Sequence, residues 1–168
     1  ADATGDGALL KWVYRLDPQQ RIAVTLEKVR RSTDTDVLTG RIAVAGSTTV
    51  VVSSLLAADD SDRNRATVQH TVDGLNTSFA DRLQWAVYSQ DGRTRQFATE
   101  NRSNGVQRLR DQNYVERVNG LSAQAEKELA GAVSHRIVYG VDASWSESVG
   151  NATGTLPPAG ETFPIKRF

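Results

Sequence analysis

Residues 76–89 read NTSFADRLQWAVYS, and the fold class turns on them. Phe79, Leu83, Ala86 and Val87 recur at helical spacing behind the cap-forming cluster Asn76, Thr77 and Ser78, and Asp91-Gly92 supplies a stop. Leu83, Trp85 and Val87 also fit the two-residue period of a strand. The cap and stop signals favour a helix over 78–90.

Upstream of this segment the chain alternates. Residues 9–15 (LLKWVYR) read as a strand ended by Asp17-Pro18, and residues 1–7 read as a mobile arm. Over 21–30, Ile22, Val24 and Leu26 oppose Arg21, Ala23, Thr25 and Glu27, the pattern of a half-buried strand. Residues 31–36 read as a loop and 37–45 as a second alternating strand. Gly46-Ser47 then reads as a hairpin turn into a Val-rich run over 48–56. Residues 57–64 (AADDSDRN) read as a charged loop and 65–72 (RATVQHTV) as a further strand.

Downstream, residues 93–104 are polar with little period, and 104–118 is a helical candidate. Leu121, Ala125, Leu129 and Ala132 form a stripe that predicts a second helix behind Ser122. Residues 136–145 alternate as a strand, and 146–168 read as an extended tail rich in Gly, Pro and Thr, whose end (154–168) offers apolar anchors to a neighbour. The expected class is α+β: an antiparallel β-sheet with C-terminal helices packing across a dimer partner. The sheet and first helix would occupy 1–92, and the C-terminal helical region, extra strand and tail 93–168.

The 168 residues carry 20 basic and 20 acidic side chains, so no polybasic surface is visible in the totals. The chain has no Cys, which excludes disulfides and thiol chemistry, and no apolar run reaches the ~20 residues of a membrane helix. Ala1 fits initiator-Met removal better than a signal-peptide junction. His70 and His135 stand apart, and no nucleophile elbow or phosphate loop is present. Asp60, Asp62 and Asn64 echo the opening of a calcium loop, but Thr71 stands at its twelfth position. The Arg-rich stretch 93–110 fits a solvated face or local phosphate neutralisation. Nothing points to an enzyme, a cofactor or a metal.

Arg21, Thr25, Thr39, Arg41, Thr67, Gln69 and Thr71 recur at alternate positions of the expected strands. On adjacent strands they would form one polar platform. That platform fits an ordinary solvated sheet face, or a surface on which hydroxyls and a few Arg hold single-stranded RNA.

The order of these segments resembles the coat proteins of single-stranded RNA bacteriophages. The resemblance runs through 7–14 (GALLKWVY), 21–28 (RIAVTLEK), 38–44 (LTGRIAV), 65–72 and the start of 76–89. It implies a capsid protein that assembles as homodimers into an icosahedral shell within a virion. It also implies RNA binding on the inner sheet face through Thr25, Thr39, Arg41, Thr67 and Gln69, with no membrane partner. Ala23, Val29 and Val37 stand where basic residues often help hold RNA, and Glu27 adds a negative charge there. The competing expectation is an exported bacterial β-rich surface or periplasmic binding domain.

Overall fold

The computed structural model describes residues 1–44, 46, 49–131, 133–155 and 166–167. They form one antiparallel sheet in strict sequence order: β1 (Asp2–Arg15), β2 (Gln20–Asp36), β3 (Val52–Asp73), β4 (Arg82–Arg102), β5 (Gln107–Leu129), β6 (His135–Gly154) and the two-residue β7 (Lys166–Arg167). The α+β expectation is therefore wrong. The described residues hold no α-helix, only a 3₁₀ turn at Leu38–Gly40.

The segment that decided the class is turn and strand. Thr77 Oγ1 accepts the Ala80 N–H at 2.9 Å and donates to the Ala80 carbonyl at 2.8 Å, so the expected helix cap closes a tight turn instead. Asn76 has φ 48° and Gly74 φ 67°, which turn the chain back. From Arg82 onward every residue pairs with β3 on one side, and nearly every one with β5 on the other. The expected stop, Asp91-Gly92, lies inside β4, opposite Asn64 and Arg63. The helix expected over 121–133 is strand β5 as far as Leu129, and 104–118 is mostly strand too. Leu121, Ala125 and Leu129 are four residues apart. Four is close to a helical turn and also even, so the same stripe lies on one face of a strand.

The strands outrun their sequence signals. The expected arm 1–7 belongs almost wholly to β1, and the charged loop 57–64 is the middle of β3. Residues 93–102 complete β4. The strand expected over 37–45 is mostly absent: a 3₁₀ turn and one isolated bridge, Ala43 to Val51, stand in its place. The 46–47 hairpin turn and the tail end 154–168 lie largely outside the described residues. Strands β3 to β6 are 20 to 23 residues long, far beyond the usual 5–6.

The sheet is a single layer. Its buried apolar side chains are Val52, Ala80 and Ala125, with Thr71 the one fully buried polar residue. The accessible surface is 11605 Å², against about 8,100 Å² for a compact monomer of this mass. No second layer covers either face among the described residues.

Two glycines sit where side chains or backbone press close. The Tyr88 ring lies over Gly120 on the neighbouring strand, inside the space a Cβ would need, and the Arg65 guanidinium stacks on that ring at 4.4 Å. At Gly140 a Cβ would stand 2.5 Å from the Ala123 carbonyl oxygen. A tyrosine can rotate away, whereas a paired strand cannot. Gly120→Ala should therefore cost about 1 kcal/mol through the lost cation–π contact, and Gly140→Ala about 1–3 kcal/mol through strand displacement. Urea unfolding of the two variants should rank them in that order. A Gly120→Ala/Tyr88→Ala double variant should lose less than the sum of its singles.

Candidate functional surfaces

The register sorts the side chains into two faces. On one face, a cross-strand row runs Trp12, Val24, Val68, Val87, Leu121 and Ala143. The next row toward the residues 16–19, 74–81 and 130–134 turns is Tyr14, Ile22, His70, Trp85, Ala123 and Val141. The row on the other side holds Leu10, Leu26, Ala66, Ser89, Asn119 and Trp145. These rows form an apolar band, reaching from 8–14 on β1 to 137–145 on β6. At about 3.3 Å per residue the band is about 20–26 Å tall along the strands.

Aromatic residues concentrate in this band. All three tryptophans, Trp12, Trp85 and Trp145, lie on it, as do Tyr14 and Tyr139. Trp12 stacks on Tyr14 at 5.7 Å, and His70 meets Trp85 edge-on at 5.6 Å. The Tyr139 hydroxyl donates to the Phe79 carbonyl at 2.5 Å, which ties the band to the 74–81 turn.

Above the band the same face becomes charged. Arg30 pairs with Asp62 at 2.9 Å, Arg117 with Asp91 at 2.8 Å and Arg95 with Asp111 at 2.6 Å, all across neighbouring strands. The Arg30 guanidinium holds the Asp62 carboxyl below the usual carboxylate range, and Arg95 does the same to Asp111. Asp60, Asp62 and Asn64, the calcium-like triplet, lie on this charged strand stretch, where Asp62 also accepts from Asn64 Nδ2.

The opposite face is predominantly polar alongside the band. Its rows include Thr25, Thr67, Tyr88, Gly120 and Ser144, and Arg21, Thr71, Gln84, Gln124 and Gly140. Leu9, Val13 and Val138 are apolar exceptions on the outer strands β1 and β6. Arg63 pairs with Glu27 on this face. The structure thus brings together five of the seven expected platform residues: Arg21 opposite Thr71, Thr25 opposite Thr67, and Gln69 beside them. Thr39 and Arg41 do not join them. Thr39 lies in the 3₁₀ turn, and Arg41 beside it pairs with Asp36 at the far end of β2.

Exposure is inverted relative to a water-soluble sheet. On β4 the band-face residues Trp85, Val87 and Ser89 are exposed, while Gln84, Ala86, Tyr88 and Gln90 are half-buried. On β3, Ala66 and Val68 are exposed, Thr67 and Gln69 half-buried, and Thr71 buried. Around β3 and β4 the sheet therefore curls toward its polar face, whereas on β1 and residues 135–145 of β6 both faces are exposed, and on β5 the band-face Ala125 is buried and Gln124 exposed. The sequence reading found the polar face and took the other for a core. The available signal was the phase of the alternation, which runs unbroken from Leu83 through Val87 into the charged residues Asp91, Arg93 and Arg95.

No protein-family model matches this chain, and no curated protein is significantly similar to it.

The turn end of the sheet is fixed by ions. Lys127 Nζ donates to Asp81 at 2.7 Å and to the Thr77 carbonyl at 2.8 Å, and the Asp81 carboxylate also accepts the Glu128 N–H at 2.8 Å. Lys127 first, and then that backbone N–H, lower the Asp81 pKa. A lowered native pKa contributes stability above the unfolded value that is lost as pH falls through the native one. The 74–81 turn should therefore loosen below about pH 4. Asp81→Asn should remove that acid limb from amide-exchange protection of 77–81, while leaving the neutral-pH sheet intact.

Proposed function

We propose that this sheet is part of the wall of a transmembrane β-barrel, with its apolar face toward lipid and its polar face toward an aqueous interior. The observation that carries the proposal is the outward-facing aromatic and aliphatic band backed by a half-buried polar face. A spanning strand needs about 9–11 residues and an apolar belt about 25 Å tall, edged by aromatic residues. At about 20–26 Å along the strands the band approaches that height and falls short of it where strands tilt, and antiparallel strands joined in sequence order are the topology such walls use. Among the described residues no helix is long and apolar enough to cross a membrane, a fact that leaves strands free to do so. The expectation of no membrane contact counted helical spans alone.

The strands extend well past the band only on the side away from the 16–19, 74–81 and 130–134 turns. There polar and charged residues predominate on both faces, with Val115, Val149, Phe97, Leu56 and Val29 among the apolar exceptions. Short turns on one side and long projections on the other match the inner and outer ends of such barrels. Among the described residues the outer edge of β1 is unpaired, and that of β6 pairs only at Glu147 and Ser148. An unpaired edge in lipid costs several kcal/mol per polar group, so the wall is completed by further strands.

The capsid reading needs helices that close over one sheet face, and the described residues provide none. Covering the band with a second copy, as in the expected dimer, would also remove it from water. It would leave the band height and the charged margin above it without a reason.

Two measurements test the proposal. In vesicles whose acyl chains are brominated, all three tryptophans should be strongly quenched; emission unchanged from that in unbrominated vesicles contradicts a lipid-facing band. Val87→Arg should weaken insertion by about 2–4 kcal/mol, as for a charge at the bilayer midplane. Ala86→Arg, on the polar face, should be tolerated. Equal effects would mean that the faces are not distinguished by lipid.

A further inference from the structure

The margin where the apolar band gives way to charge carries more than solvation. The first charged row is Lys28, Asn64, Asp91, Arg117 and Glu147, and the second is Asp6, Arg30, Asp62 and Arg93. A groove of about 590 Å³ opens along this margin, lined by Arg30, Arg93, Arg95, Asp60, Asp62 and Asp111 among others. Among its charged lining residues Arg30, Asp62, Arg95 and Asp111 are held in ion pairs, while Asp6, Arg31, Asp60 and Arg93 are in none that joins described residues. Asp62 is held by Arg30 and Asn64, Asp111 by Arg95, and Asp91 by Arg117. Asp60 acts on Arg95. Arg93 and Arg31 are exposed, line the groove, and have no hydrogen-bond or ion-pair partner among the described residues, and of the two Arg93 stands on the band face. Lys28, one row nearer the band on β2, has an ammonium that makes no hydrogen bond among the described residues and acts electrostatically on Asp62.

We infer that Arg93 and Lys28 hold the phosphate of an anionic lipid headgroup against the outer margin of the band. The inference rests on the membrane reading proposed above. Three features favour a lipid over a soluble ion. The two cations sit directly above the apolar band, where headgroups would lie. Their neighbouring carboxylates Asp62 and Asp91 are neutralised by other arginines, and against the groove's remaining acids Asp6 and Asp60 stand Arg31, Arg93 and Lys28. A guanidinium also matches phosphate oxygens with two parallel donors, while an ammonium adds a point charge on a flexible stem. Basic pockets on the flanks of membrane segments recognise headgroups in this way.

The test uses the chain reconstituted in phosphatidylcholine vesicles containing a minor fraction of phosphatidylglycerol, with bound lipid counted by native mass spectrometry after extraction. The expected result is retention of phosphatidylglycerol above its bulk fraction. Arg93→Gln/Lys28→Gln should lower that retention roughly tenfold, the scale of losing charge-assisted hydrogen bonds. Arg21→Gln, which removes a cation on the opposite, polar face at the turn end of the sheet, should lower it little. Retention unchanged in the double variant overturns the inference. So does displacement of the lipid by millimolar inorganic phosphate, which would assign the site to a soluble anion. Bromolipid quenching on the same samples separates the two levels. Quenched tryptophans without phosphatidylglycerol preference sink only this inference, while unquenched tryptophans sink the membrane reading beneath it.

Discussion

The structure depends on where one apolar face goes. Six strands satisfy most of their backbone hydrogen bonds within a single layer, yet that layer leaves Leu10, Trp12, Val24, Val87, Leu121 and Val141 on one face with no second layer of described residues above them. In water such a face is strongly unfavourable, at about 25 cal/mol for each Å² left exposed. Around β3 and β4 the polar face is the more buried one, so packing within the described residues does not cover the band there. On the proposed membrane reading, a hydrocarbon solvent resolves this. Band height, aromatic placement and the switch to paired charges at a defined level then follow from a bilayer's dimensions and not from a protein core.

Local interactions serve that arrangement. The Tyr88 ring over Gly120, with Arg65 stacked on it, fills the inner side of the curl beside Thr25 and Thr67. The Asp81–Lys127 pair and the Tyr139–Phe79 contact fix the short turn between β3 and β4 at the level where the band ends. Beyond the opposite margin, exposed ion pairs such as Arg30–Asp62 contribute little stability each. They keep both faces wettable along strands that run far past the band.

Much of the strand content was legible in the sequence, and its meaning was not. The alternation over 21–30, 65–72 and 136–145 marks β2, β3 and β6 correctly. It also places Arg21, Thr25, Thr67, Gln69 and Thr71 on one polar face. Two physical ambiguities hid the rest. An apolar stripe every four residues fits a helix and one strand face alike, which misassigned 78–90 and 121–133. Ser, Thr, Asn and Asp cap helices and close turns by the same hydrogen bonds, so Asn76, Thr77 and Ser78 could not arbitrate. Charged stretches such as 57–64 look like loops because most strands end near a charge. Here they continue as strand with water on both sides. Which face is the outside is a property of the curl, and no periodicity encodes it.

The account is tested most directly by thiol accessibility along β4. The chain has no Cys, so a single introduced thiol reports one position. In lipid vesicles, Cys at 84, 86 and 88 should react with a membrane-impermeant maleimide admitted to the barrel interior. Cys at 83, 85 and 87 should be protected, and those at 91, 93 and 95 should react again above the band. Protection of 84, 86 and 88 with free reaction at 83, 85 and 87 would contradict the account, because it would make the polar face the hidden one.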